Sequence, residues 1–141
     1  EGGRALLDLR DAPRPDPATP APARLLPMWD SVLLAHADRT RVISNADRAL
    51  VVDVNGDTYP TFLVNGRVAG LWWARATSVG TTIDLEPFRP LRQADRLSLE
   101  SEAERLAAFV APLEPDVYRR YRVGRDRRQD RRQRDHRQPL P

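Results

Sequence analysis

The sequence contains no cysteine and no lysine, only two histidines, and no apolar run near the roughly 18 residues that a membrane-spanning helix requires. Without cysteine there is neither a disulfide framework nor a thiolate metal site, so a reducing, cytoplasmic setting is expected. The start shows no basic, apolar and cleavage regions in the order of a signal peptide, and the chain opens on Glu1, which predicts a piece of a longer protein. The poverty in histidine thins the chemistry further. His36 falls on a short apolar stretch and reads as a packed or surface side chain rather than a base, and His136 lies in the charged tail. No H-x-x-H, H-E-x-x-H or EF-hand spacing occurs, and the seven glycines form no phosphate-cradling pattern, so neither metal nor cofactor is expected.

What is present is arginine and proline. All 23 basic residues are arginines, set against 20 acidic ones. Ten of the arginines fall in residues 117–141 against three aspartates, a net +7, whereas the rest holds thirteen against seventeen acidic residues, a net −4. The basic character is therefore local to the tail, and the placement of individual arginines has to carry any argument about a polyanionic partner. Prolines 13, 15, 17, 20 and 22 fix the backbone of an extended strap. The expected organisation is a remnant of a preceding domain with a proline-rich linker over 1–24, a β-rich domain over 25–116 and a disordered arginine-rich tail over 117–141.

Within the middle segment, Leu25 to Trp29 form an apolar anchor, and Asp30 is placed to cap a short helix over 31–37. Residues 45–50 read as a loop or one helical turn. The runs 50–54 and 58–64 are β-rich and flank Asn55-Gly56-Asp57, and Asn65-Gly66 is a two-residue hairpin signature followed by strands over 67–76 and 81–88. A two-residue loop pairs Leu63 with Val68, Thr61 with Gly70 and Tyr59 with Trp72, and the next hairpin pairs Ala74 with Ile83 and Trp72 with Leu85. Leu63, Val68, Trp72, Ile83 and Leu85 then share the core face. Phe62, Val64, Leu71, Arg67, Trp73, Arg75, Asp84 and Glu86 are left outward, with Trp73 available to pack on a missing domain. From Gln93 the period changes to 3.6, with Leu99, Ala103, Leu106, Ala107 and Val110 on one stripe of a closing helix. The expected fold class is α+β, mainly β: a small antiparallel, barrel-like meander with a short N-terminal helix and a closing C-terminal helix. Asp84 and Glu86 on one strand face raise the question of paired catalytic carboxylates, but cross-strand neutralisation of Arg75 is the simpler account.

Two blocks carry a family likeness. Leu25-Leu26-Pro27-Met28-Trp29-Asp30-Ser31-Val32-Leu33-Leu34 followed by Asp38-Arg39-Thr40-Arg41 is similar to an "L-x-P-x-x-D-x-L-L-x-x-D-R-x-R" stretch, with one more residue on each side of Leu33-Leu34, and residues 58–72 fit "x-x-P-x-F-L-V-x-G-x-V-x-G-x-W". Leu85-Glu86-Pro87-Phe88 and Glu102 to Leu106 continue the match, which spans about residues 4–123. The chain resembles the C-terminal region of winged-helix DNA-binding proteins related to the AlkZ DNA glycosylases. That resemblance implies a parent with tandem winged helices before a small β-barrel, bound around duplex DNA and engaged in DNA repair. It places the glycosylase Q-x-Q motif before this segment, and here Gln93, Gln129, Gln133 and Gln138 are never two apart, so the segment is not catalytic by itself.

The candidate DNA-binding residues are Arg39, Arg41, Arg67 and Arg75, the last beside a hairpin tip. Against this, Arg39 stands next to Asp38 and Arg75 opposite Asp84, so each has a local acidic partner within reach. Duplex DNA and the missing winged-helix domains are the expected partners. The alternative is a structural or oligomerisation module that docks through Phe62, Val64 and Leu71 with no direct DNA contact. The tail is open to two readings: sequence-independent affinity through counterion release, or a solvated extension.

Overall fold

The structure is a computed structural model that describes residues 9–16, 18–110 and 115–135. Its elements run β1 (Arg24–Leu26), α1 (Ser31–Leu34), α2 (Asn45–Val51), β2 (Thr61–Val64), β3 (Arg67–Thr77), β4 (Gly80–Pro87), α3 (Gln93–Val110) and α4 (Pro115–Asp135). The strands form one antiparallel sheet in the order β1-β2-β3-β4. The sheet is open, with β1 and β4 at its edges, so the barrel-like closure expected from the sequence is not what the chain forms. The α+β class and the meander are. Residues 1–8 and 17 of the expected remnant and linker, and 136–141 of the expected tail with His136, lie outside the described residues.

Local chemistry accounts for most boundaries. Asp30 caps α1, its carboxylate accepting from the Val32 amide at 2.8 Å. Ser44 caps α2 in the same way, accepting from the Asp47 amide at 3.1 Å while its hydroxyl donates to the Asp47 carboxylate at 2.7 Å. At the β2–β3 turn Asn65 and Gly66 both take positive φ, 50° and 72°, the two left-handed residues that a type I′ hairpin needs. Residues 45–50, read as a loop or single turn, belong to the two-turn helix Asn45–Val51, whose Asp47 amide the Ser44 cap satisfies.

One irregularity reorganises the sheet. Leu63 pairs with Val68 and Phe62 with Gly70, so the register shifts between Phe62 and Leu63 and leaves Ala69 as an extra residue on β3. A bulge of this kind reverses the side-chain alternation beyond it. Thr61 accordingly faces Leu71, not Gly70. The pairs Trp72 with Leu85 and Ala74 with Ile83 form as expected.

Because of that bulge both faces of the sheet are packed. On one, Val68, Leu71 and Trp73 meet Leu33, Ile43, Val51 and Tyr59, with Leu63 and Tyr121 against them. On the other, Phe62, Trp72 and Ala74 meet Leu99 and Val110 of α3, with Leu25, Ile83, Leu85 and Leu106 filling between. The five residues expected on one core face are thus divided, Leu63 and Val68 on the first side, Trp72, Ile83 and Leu85 on the second. Phe62, Leu71 and Trp73, expected outward, are completely or nearly completely buried, and Val64 is half-buried against the Phe62 side. The docking surface imagined through Phe62, Val64 and Leu71 is therefore interior.

The largest departure lies at the C-terminal end. The stretch expected to be disordered from residue 117 is helix α4 as far as Asp135. Proline is well suited to the first helical position, where Pro115 stands, and arginine and glutamine are strong helix formers. The helix then rests on β3.

Candidate nucleic-acid interface

The loop between α1 and α2 carries Arg39 and Arg41. Asp38 folds the loop back on itself, its carboxylate accepting from the Thr40 amide at 2.9 Å and the Thr40 hydroxyl at 2.7 Å. Arg39 Nε donates to the His36 carbonyl at 2.8 Å, and the Val42 and Ile43 amides donate to the Arg39 carbonyl at 2.9 and 2.8 Å. The turn is then fastened to the sheet. The Val68 amide donates to the Val42 carbonyl at 2.8 Å, and Arg67 reaches across from the first residue of β3, donating to the carbonyls of Arg41 at 3.1 Å and Thr40 at 3.2 Å. The structure thus brings Arg39, Arg41 and Arg67 to one corner. Arg41 and Arg67 are exposed there, and the Arg41 guanidinium has no hydrogen-bond or ion-pair partner among the described residues.

Arg75 is elsewhere. Eight residues along β3 from Arg67, about 26 Å at 3.3 Å per residue, it forms a two-pronged pair with Asp84, Nε to Oδ2 at 3.2 Å and Nη2 to Oδ1 at 3.0 Å. Asp84 also accepts from Arg122 at 2.7 Å. Together these cations, Arg75 foremost, hold the Asp84 carboxyl below the usual carboxylate range.

What the sequence did not reveal is that arginines of α4 pack onto the sheet. Arg122, Arg125 and Arg128 stand three residues apart and face the Trp73 side of the sheet. Arg122 bridges Asp84 and Glu86 at 2.7 and 2.8 Å. Arg125 donates to Glu86 at 2.7 Å and stacks over the Trp73 ring, 4.9 Å from its centroid. Arg128 pairs with the buried Asp53 carboxylate at 2.8 Å and donates to the Tyr59 hydroxyl at 2.5 Å. Tyr121 meets Trp29 edge-to-face with centroids 5.6 Å apart. The i, i+3, i+6 spacing of these arginines, opposite acidic residues two apart on β4, was the available signal, although hydropathy does not register it.

No group of three or more potential metal ligands occurs among the described residues, and no helix there is long and apolar enough to cross a membrane. Asp84 and Glu86 are each bound to arginines rather than turned toward one another across a cleft. Neither the curated proteins nor the solved structures include a match to the chain. A family model described as DNA glycosylase AlkZ-like matches residues 1–109, about three quarters of the sequence, and so takes in the sheet, the arginine corner and nearly all of α3. On that match the chain belongs to the AlkZ-like DNA glycosylase family.

Proposed function

We propose that this chain is the DNA-contacting C-terminal region of a larger winged-helix, AlkZ-like protein, that it contributes binding rather than bond cleavage, and that Arg39, Arg41 and Arg67 meet the phosphates of a duplex. The observation that carries this reading is the fastened corner. A loose loop loses backbone entropy on binding, whereas the 38–42 turn is already held by the Val68 amide and the Arg67 fork, so only the Arg41 side chain is left to order. The acidic background of the remaining fold makes such a local cation cluster the place where an anionic backbone is received.

Arg75 stands outside the proposed contact, because its fork is already occupied by Asp84. The same pairing supports the non-catalytic reading, since an Asp84 carboxylate held by two arginines with a lowered pKa has no proton to give and is a weak base. Base excision, if the parent performs it, then belongs to residues before the sheet.

The test is duplex binding by the 141-residue chain as a function of salt. Each phosphate neutralised contributes a slope of about −0.9 in log K against log salt, so Arg41→Gln lowers the magnitude of the slope by about one while leaving thermal stability unchanged. An unaltered slope, or no binding by the parent chain at low salt, overturns the proposal. Arg67→Gln behaves differently: it removes both a phosphate contact and the clamp on the Thr40 and Arg41 carbonyls, so binding and stability fall together.

A further inference from the structure

We propose that the outer side of α4 is a second contact with the DNA backbone, formed by a line of arginines at positions 120, 127, 131 and 134. The inference rests on the DNA reading above but concerns a separate surface, beyond residue 109 where the family match ends.

Arg122, Arg125 and Arg128 are spent on Asp84, Glu86, Asp53, Trp73 and Tyr59, which fixes the rotation of the helix about its own axis. At 100° per residue, positions 120 and 127 fall within about 20° of one another and roughly opposite Arg125. Arg120 and Arg127 are exposed, and neither side chain has a hydrogen-bond or ion-pair partner among the described residues. The sequence carries the same line on with arginine at 131 and 134, so the four positions occupy an arc of about 60° and span about 21 Å along the axis at 1.5 Å per residue. Asp130 stands roughly 60° to one side of Arg127.

Asp84, Glu86 and Asp53 neutralise the inner arginines, and Arg120 and Arg127 have no counterion among the described residues. A row of arginine positions of that length matches one edge of a duplex over about six base pairs at 3.4 Å per step. Duplex DNA, with closely spaced phosphates along a stiff rod, is therefore the occupant that fits both charge and shape.

The test compares four forms of the 141-residue chain on one duplex: the parent, the fourfold change to glutamine at 120, 127, 131 and 134, Gly124→Pro and Arg41→Gln. The fourfold variant is expected to reduce the magnitude of the salt slope by about 3 to 4, with Trp73 emission unchanged because the inner face still docks. Gly124→Pro keeps every charge but breaks the helix, and is expected to weaken binding at least several-fold at fixed salt. A slope unchanged by the fourfold variant overturns the proposal. So does parent-like binding by Gly124→Pro, which would mean that the arginines act as an unstructured tail. Loss of effect for Arg41→Gln alone would remove the corner and leave the α4 surface standing, so the two failures are distinguishable.

Discussion

Gly70 is the residue on which the sheet turns. It faces Phe62 just beyond the bulge, and a Cβ there would collide with the Phe62 ring and with the Glu86 carbonyl oxygen of the neighbouring strand. Backbone cannot yield as a flexible side chain would, so Gly70→Ala should destabilise the fold by about 1–3 kcal/mol, measured as a lower denaturant midpoint. An unchanged midpoint would show that β3 and β4 have more room than the register implies. Asp47 makes a pH prediction. Its carboxylate is buried and receives a two-pronged bond from Arg89 at 2.8 and 3.0 Å and another from the Ser44 hydroxyl. The Arg89 bonds, aided by Ser44 and opposed by burial, lower its pKa. A depressed folded-state pKa stabilises fully above the ordinary aspartate value of about 3.9 and is lost as pH falls through the lower folded value. Thermal melts should therefore fall steeply on that acid limb, and Asp47→Asn should flatten it at a general cost in stability; an equally steep limb in the variant would contradict the assignment.

At the scale of elements, α4 departs furthest from what its sequence suggests. A reading based on apolar periodicity finds α3 readily, because Leu99, Ala103, Leu106 and Val110 repeat at helical spacing. It passes over α4, whose inner face is arginine and tyrosine rather than aliphatic, and which is held by carboxylates and an indole ring. Trp73 was misplaced for the same reason: its cover is a charged helix, and the bulge at Ala69 had moved it to a second packed face. Hairpins were legible where turn chemistry is strict, as at Asn65-Gly66, and the bulge was not, because its one signal, the isolated Gly70 beside Ala69, fits an unbroken core face equally well. Arg125→Ala removes a stacked, nearly buried guanidinium and should cost about 1–2 kcal/mol. It should also shift tryptophan emission to the red as water reaches Trp73. Blue emission and full stability in that variant would mean that α4 does not depend on this contact. Ending the chain at residue 114 should do more, exposing Trp73 and Tyr59 together and lowering the melting temperature by several degrees.

For the whole molecule, the sheet separates two packed layers, with α3 on one side and α1, α2 and α4 on the other, and the arginine corner stands at one end of β3. The family kinship was legible because its two motif blocks are fixed by structure: the Asp30 cap and the 38–41 turn in one, the hairpin glycines and Trp72 in the other. Which arginines converge was only partly legible. Arg39, Arg41 and Arg67 meet through backbone carbonyls that sequence spacing does not reveal, and Arg75 was separated from them by the length of one strand. The central claim is that the fastened 38–42 corner is where the chain meets DNA. Amide chemical-shift mapping of the 141-residue chain titrated with a short duplex tests this most directly. The account predicts the largest perturbations at Thr40, Arg41, Val42 and Arg67; a titration that saturates while those four amides stay unmoved would contradict it.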